Sequence, residues 1–449
     1  MKRLHQLPVL ACFLACWAPS VMAWGNHSFP SYRAFEKFPE VVNAAPVTVE
    51  TLESFLKAEE KTLEVLLASQ EAWAQANIDK FPARPAALAF KAEPQRSDEA
   101  RRLAFLMALR IAPNAKFALF YQPDPQNPVQ TTSLLPHTAV NTLPEVANST
   151  YRYLPLKAGE QIAPLSVLAS ASDEPDYGID INLWEDSPSD WGKVYGFALQ
   201  PFGNPALAYS SQAPFHMGFM HENKVLYLAA PFIKRTFPLL RSHQFSSLAE
   251  LAFRTGHHYW GWRFTGLALH YLQDLTQPYH ASLAPGHSIF KLLGANALAM
   301  AGMPGMKDNM VVLLSNRHLA LEKYQTELLQ SAALKKQETA IEKALRNQER
   351  DVSYPEWNDR YVRDTVSAQS AGAGEQLAKI LVASMPELFV NDPTFDFGVK
   401  ESGITLATEL AKRDSRDSAA LEAIIAELLG NFGAHSRNAV RGILRAGAM

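Results

Sequence analysis

Apolar side chains recur at helical spacing through most of the chain, and this pattern predicts a mainly α-helical protein. The clearest early example is residues 47–78, where leucines recur every three or four positions with Glu and Lys between them. A second helix is expected over 98–111, because Ser97 is a suitable N-cap and acidic residues fill the first turn. We expect further helices at 246–254, 258–276, 308–334, 337–348, 357–385 and 417–446.

Two long stretches between the helical regions lack this periodicity. Residues 112–165 contain many Pro, Asn and Thr residues, and we expect short extended pieces there. Residues 171–215 have the composition of a loop. A long irregular stretch is uncommon in a compact domain unless it has a function, so we expect the second stretch to be functional.

The first 23 residues have the features of an export signal. Lys2 and Arg3 precede an apolar run over 7–18, and Val21-Met22-Ala23 forms a small-x-small cleavage site. The apolar run is too short for a membrane anchor. The sequence therefore predicts a secreted or periplasmic protein that is cleaved after Ala23 and begins at Trp24.

Composition limits the partners and the metal ligands that are expected for the mature chain. The chain has 42 basic and 45 acidic residues, so a net charge of −3 provides no general attraction for a polyanion such as nucleic acid. Its two cysteines, Cys12 and Cys16, both lie in the predicted signal. Any metal site in the mature protein must therefore be built from His, Asp, Glu or a chain terminus.

Two pairs of metal-ligand residues occur at helical spacing. His270 and Asp274 share one helix face, and Pro278 bends the chain so that His280 can return toward that face. His318 and Glu322 form a second pair with the same spacing. A neutral imidazole and a carboxylate one turn apart can chelate a divalent ion. The alternative interpretation is that these histidines are ordinary core or surface residues.

The predicted new N-terminus adds a further ligand group. A free α-amine at Trp24, together with its own carbonyl, forms a five-membered chelate, and His27 follows three residues later. The combination of W-G-N-H at the cleavage site with H-x-x-x-D-x-x-x-P-x-H and H-x-x-x-E downstream resembles the bacterial zinc-dependent phospholipase C family. It also resembles the related fungal and plant single-strand-specific nucleases. The resemblance is strongest over 259–326 and weaker over 24–27 and 171–218.

This resemblance implies a multi-helix zinc domain of the phospholipase C and nuclease type over 24–449, with inserted segments. Residues 44–165 would form an insertion or subdomain. The family pattern implies three zinc ions, whose ligands in this sequence would be Trp24, His27, Asp173, His216, His270, Asp274, His280, His318 and Glu322.

The ligands divide among the three implied ions as follows. Trp24, His27 and Asp274 would hold one ion. Asp274 would bridge to a second ion, held by His270, His216 and Asp173, with Asp176 as the alternative to Asp173. His280, His318 and Glu322 would hold the third. Asp173 and Asp274 are the implied catalytic residues, Asp173 as an acid or base and Asp274 as the bridge.

The implied reaction is hydrolysis of a phosphodiester, most simply by a phospholipase C that releases diacylglycerol and a phosphorylated headgroup. Its partner would be a phospholipid, reached through peripheral contact with a membrane. One alternative is a sugar-non-specific nuclease that uses the same three zinc ions, for which nucleic acid would be the partner. Another is a secreted metal-binding envelope protein without turnover. The apolar segment 289–310 is either a core hairpin or a rim that contacts an acyl chain.

Overall fold

The computed structural model describes residues 25–145, 151–203, 209–401, 403–413 and 415–449. The predicted signal peptide, its cleavage site and Trp24 lie outside this range. The protein is 62% helical with 2% strand, which confirms the prediction of a mainly α protein.

The helices form two series in chain order. The first series comprises α1 (Ser28–Phe35), α2 (Pro39–Val42), α3 (Leu52–Ala58), α4 (Glu60–Asn77), α5 (Asp98–Leu109), α6 (His137–Val140), α7 (Pro164–Ala171), α8 (Asp190–Tyr195), α9 (Ala213–His216), α10 (Lys224–Ala229) and α11 (Pro238–Arg254). The second comprises α12 (His258–Asp274), α13 (Pro278–Ala281), α14 (Ile289–Met300), α15 (Gly305–Lys335), α16 (Ala340–Arg346), α17 (Ala368–Ser384), α18 (Glu387–Val390), α19 (Phe397–Lys400), α20 (Leu406–Leu410) and α21 (Ser415–Gly447). A π-helical turn over Val362–Ser367 leads into α17.

In the part of the chain that the structure describes, four short strands form two antiparallel pairs. They are β1 (Val47–Thr48), β2 (Phe120–Tyr121), β3 (Leu154–Pro155) and β4 (Gln161–Ile162). Strand β1 pairs with β4 and β2 pairs with β3. The short extended pieces expected within 112–165 are therefore present.

Several predicted helices have different boundaries in the structure. The helix expected over 47–78 begins later, because β1 precedes it and Thr51 caps α3 by accepting a hydrogen bond from the Ser54 amide at 3.2 Å. It is also divided at Glu59, which separates α3 from α4. Helix α5 begins as predicted, with the Ser97 hydroxyl accepting from the Ala100 amide. Helix α11 begins at Pro238 rather than at residue 246, since proline at the first helical position needs no amide hydrogen bond.

Helix α12 lies at the centre of the fold. Every side chain from Tyr259 to Asp274 is buried, and α12 packs against α7, α11 and α21. Gly266 allows the close approach of α7, because a Cβ there would lie 2.6 Å from the Leu168 carbonyl oxygen. This contact brings the residues that follow α7 up to the buried face of α12.

The region around 44–165 shares the main apolar core with the rest of the chain. Phe55 of α3 and Phe105 of α5 are fully buried in the same cluster as Leu267 of α12 and Phe432 of α21. The boundaries of an insertion in this region stay a prediction. Across the described residues, none of the helices is long and apolar enough to span a membrane.

Candidate metal centre

The last turn of α12 presents His270 and Asp274 to one buried site. The His270 Nε2 atom lies 3.3 Å from the Asp274 Oδ2 atom, and neither side chain is exposed to solvent. His27, just before α1, reaches the other carboxylate oxygen, with its Nε2 atom 3.2 Å from Asp274 Oδ1. His27, His270 and Asp274 thus form one group whose ligand atoms could hold a metal ion.

A second group adjoins the first and shares His270 with it. His216, at the end of α9, places its Nδ1 atom 2.9 Å from both Asp274 Oδ2 and His270 Nε2. Asp176, in the 3₁₀ turn after α7, lies 3.6 Å from His270 and 3.7 Å from His216. We call these two adjoining groups the central groups.

A third group, which we call the outer group, consists of His280, His318 and Glu322. The Nε2 atoms of the two histidines are 2.9 Å apart, and His318 Nε2 lies 2.6 Å from Glu322 Oε1. Gln277 caps α13 by accepting from the Tyr279 amide, which sets the orientation of the helical turn that carries His280. The structure therefore groups His280 with His318 and Glu322, and its return toward the face of His270 and Asp274 stays a prediction.

The spacing of these atoms fits tetrahedral metal coordination. Zinc–nitrogen and zinc–oxygen bonds of about 2.0–2.1 Å place two ligands of a tetrahedral ion about 3.3 Å apart. The separations of 2.9 to 3.3 Å among His216, His270 and Asp274 are close to that value. Asp274 Oδ1 is also buried, with the His27 Nε2 atom 3.2 Å away, so a cation beside these two atoms could bind both of them.

The other ring nitrogens of three histidines are held by protein oxygens. His270 Nδ1 lies 2.8 Å from the Ser172 carbonyl oxygen, and His280 Nδ1 lies 2.9 Å from that of His216. His27 Nδ1 lies 2.9 Å from the Gln273 amide oxygen. Each of these contacts favours a proton on Nδ1 and turns Nε2 toward the other ligand atoms of its group, which is how metal-binding histidines are usually held.

Asp173 lies outside all three groups, and its oxygens are occupied by hydrogen bonds. Oδ1 accepts from the His27 amide at 2.8 Å, and Oδ2 accepts from Tyr177 at 2.5 Å and from Gln122 at 3.0 Å. Of the two carboxylates considered from the sequence, Asp176 is the one that the structure places beside His216 and His270. Asp173 instead holds the segment that carries His27.

Burial and charge shift the proton equilibria of the central histidines. Burial alone would lower the pKa of His27, but Asp274 outweighs it and raises this pKa to about 9. Burial opposes protonation of His216 as well, yet Asp180 and Asp274 raise its pKa to about 10. Without a metal, both imidazoles are therefore protonated at neutral pH and balance the carboxylates. A bound cation would take over this role, since histidine must be neutral to be a ligand.

The pKa values of the other residues in the central groups are also shifted. Burial lowers the pKa of His270 well below its ordinary value, so its imidazole is neutral. Burial would raise the pKa of Asp274, but the surrounding histidines hold it well below the ordinary range. Burial, together with Asp274, raises the pKa of Asp176 well above that range. Several carboxylates gathered in a buried space need cations or protons nearby.

Sequence reasoning missed a supporting network around Asp180. Its Oδ1 accepts from Arg241 Nε at 2.7 Å, and its Oδ2 accepts from the Tyr271 hydroxyl at 2.6 Å. Arg241 is fully buried, so its charge is balanced by Asp180 away from solvent. The position of Tyr271, next to His270 on a buried helix, was the one signal that could have pointed to this network.

The segment before α1 approaches the outer group as well. A Cβ on Gly25 would lie 2.5 Å from Thr326 Oγ1 and 3.3 Å from the Glu322 carbonyl oxygen. The residue that follows Trp24 therefore packs against the helix that carries His318 and Glu322. Trp24 itself is outside the described residues, and its role as a ligand stays a prediction.

Comparison with protein-family models, with curated proteins and with solved structures finds no match.

Proposed function

We propose that this protein is an exported zinc-dependent phosphodiester hydrolase, and that it cleaves phospholipids as a phospholipase C. The observation that carries the proposal is the position of Asp274 between the two central groups. One of its oxygens lies 3.2 Å from His27 and the other 2.9 Å from His216. A carboxylate placed in this way can bridge two cations, as the family resemblance implies.

The donor set supports zinc as the metal. Imidazole and carboxylate ligands suit zinc, whereas the mature chain has no thiolate for softer ions. Zinc bound here would supply positive charge to the phosphate oxygens and lower the pKa of a bound water. We therefore assign all three groups to zinc.

The protein residues contribute orientation and proton control. Asp274 holds the two central groups together, and the Ser172 carbonyl fixes the ring of His270. Asp173 fixes the backbone at His27, and we assign it a positioning role beside its predicted role as an acid or base. Asp180 lies 3.6 Å from His216 Nε2 and, held by Arg241, keeps negative charge behind that ligand.

An apolar environment beside the outer group favours a lipid over a nucleic acid. The helices that flank His318 carry exposed apolar side chains, including Phe290, which is 82% exposed, and Met300, which is 77% exposed. Such residues suit contact with a lipid surface and do not attract a polyanion.

The proposal is tested by measuring turnover of two substrates by the zinc-loaded mature protein. We expect phosphate-ester release from phosphatidylcholine vesicles and little cleavage of single-stranded DNA. Rapid cleavage of DNA with inert vesicles would show that the nuclease alternative is correct. Zinc binding without turnover of either substrate would support a non-catalytic metal-binding protein.

A further inference from the structure

An apolar cavity adjoins the outer group. Its volume is about 250 Å³, larger than the roughly 150 Å³ apolar cavities that take up benzene. It lies between α10, α14 and α15, and His318 forms part of its wall. Among its apolar lining residues are Leu226, Ile233, Leu292, Leu293, Val311 and Leu314.

The wall of the cavity includes Tyr279, whose hydroxyl has no hydrogen-bond partner among the described residues. The Tyr279 hydroxyl is buried and makes no hydrogen bond to any described residue. The Tyr279 ring stacks on the His318 ring, with the ring centres 5.8 Å apart and the planes 11° apart. A buried hydroxyl without a partner is costly, so its position indicates a ligand that supplies an acceptor.

We propose that this cavity binds one acyl chain of the substrate, with the Tyr279 hydroxyl donating a hydrogen bond to the ester carbonyl of that chain. The inference rests on the proposed phospholipase C activity and specifies which part of the lipid the protein recognises. An acyl ester joins a long apolar chain to a carbonyl acceptor, and the cavity offers a mainly apolar wall together with the Tyr279 hydroxyl as a donor. Binding sites commonly combine these two features.

The position of the cavity agrees with this assignment. The acyl esters of a phospholipid are only a few bonds from its phosphodiester, and Tyr279 precedes His280 of the outer group in the chain. The wall on the solvent side is α14, which belongs to the apolar segment 289–310. One face of α14 lines the cavity through Leu292, Leu293 and Ala295, and its other face is exposed to solvent. This arrangement fits a rim that contacts an acyl chain better than a core hairpin.

The experiment uses glycerol derivatives that contain no phosphodiester, so the proposed reaction cannot consume them. Binding of monolauroylglycerol, monobutyrylglycerol and dodecyl glyceryl ether to the zinc-loaded mature protein is measured by calorimetry. We expect the lauroyl ester to bind at least tenfold more tightly than the butyryl ester, because only the longer chain fills the apolar cavity.

Two variants test the cavity and the hydroxyl separately. Leu293→Trp fills the cavity and should weaken binding of the lauroyl ester about tenfold or more, while Ala297→Trp, on the exposed face of the same helix, should not. Tyr279→Phe should weaken binding of the lauroyl ester about fivefold and leave binding of the dodecyl ether unchanged. Tyr153→Phe removes a buried hydroxyl from a different aromatic cluster and serves as its control.

The results separate this inference from the proposed function. Equal binding of lauroyl and butyryl esters, or unchanged binding in both Leu293→Trp and a second filled variant, Val311→Trp, would overturn the acyl site. Phospholipid turnover measured beside such a result would leave the proposed function intact. Chain-dependent binding without any turnover would contradict the proposed function and support the acyl site.

Discussion

The central groups and the outer group use the same residue types in different surroundings. The central groups hold Asp176 and Asp274 among buried imidazoles, with Asp180 beside them, and the pKa values of these three carboxyl groups are displaced in both directions. The outer group has one carboxylate, Glu322, and opens on an apolar cavity. The difference suggests a division of roles. Under the proposed function, the central groups would concentrate charge for the reaction, and the outer group would connect that charge to the bound lipid.

The substitution expected to have the largest effect is Asp274→Asn. The amide keeps the size of the side chain but loses the charge that lets it bridge two cations. We expect loss of zinc from the central groups, retention of the outer zinc and a fall in turnover of roughly 10³-fold or more. Zinc content by elemental analysis and phosphatidylcholine turnover test this expectation.

The matched substitution in the outer group is Glu322→Gln. It should remove the outer zinc alone and leave the two central ions in place. If Asp274→Asn instead retained near-normal turnover and full zinc content, Asp274 would be an ordinary buried partner of the histidines.

The next effect concerns the free amine of Trp24. An additional Met before Trp24 displaces the terminal amine by about 3.8 Å along the chain. We expect this form to lose one zinc and most of its turnover, while its folding is little changed. The control is protein cleaved to expose Trp24. Equal zinc content and equal turnover rates in the two forms would show that Trp24 is not a zinc ligand.

A smaller effect is expected from His318→Ala, which should remove only the outer ion. His270→Ala should instead disturb both central groups, because His270 belongs to each of them. Turnover should therefore fall further in His270→Ala than in His318→Ala. Loss of the same ions in both variants would contradict the separation of central and outer groups.

The smallest expected effect is a pH dependence of the folding stability of the metal-free protein. In the folded chain the pKa values of His27 and His216 are raised from 6.5 to about 9 and about 10. Their contribution to stability is therefore complete below pH 6.5 and is lost as the pH rises through 9 and 10. For His27 alone this amounts to roughly 3 kcal/mol.

Thermal unfolding in chelator between pH 6.5 and pH 10 measures this loss. The melting temperature should fall across the interval, whereas that of the zinc-loaded protein should change less, because the cation replaces the protons. His27→Gln should reduce the slope of the metal-free curve. A metal-free melting temperature that stayed constant over the interval would contradict these proton positions.

The sequence predicted the parts of the site that depend on local spacing. His318 and Glu322 lie one helical turn apart, so periodicity alone placed them together. The same holds for His270 and Asp274, and the N-cap Ser97 marked the start of α5 correctly. These features follow from the geometry of one helix and need no knowledge of the tertiary fold.

Long-range contacts could not be predicted in this way. The choice between Asp173 and Asp176 depends on how the 3₁₀ turn after α7 meets α12, and three residues of sequence separation do not determine it. The pairing of Asp180 with Arg241 joins residues distant in the chain, and no periodic pattern records it. The break between β1 and α3 likewise depends on pairing with β4, far along the sequence.

The most direct test of the account is anomalous X-ray scattering at the zinc edge from crystals of the mature protein. We predict three zinc peaks: two flanking the Asp274 carboxylate and one among His280, His318 and Glu322. A single peak, or none, in carefully zinc-loaded crystals would contradict the trinuclear site on which the proposed function depends.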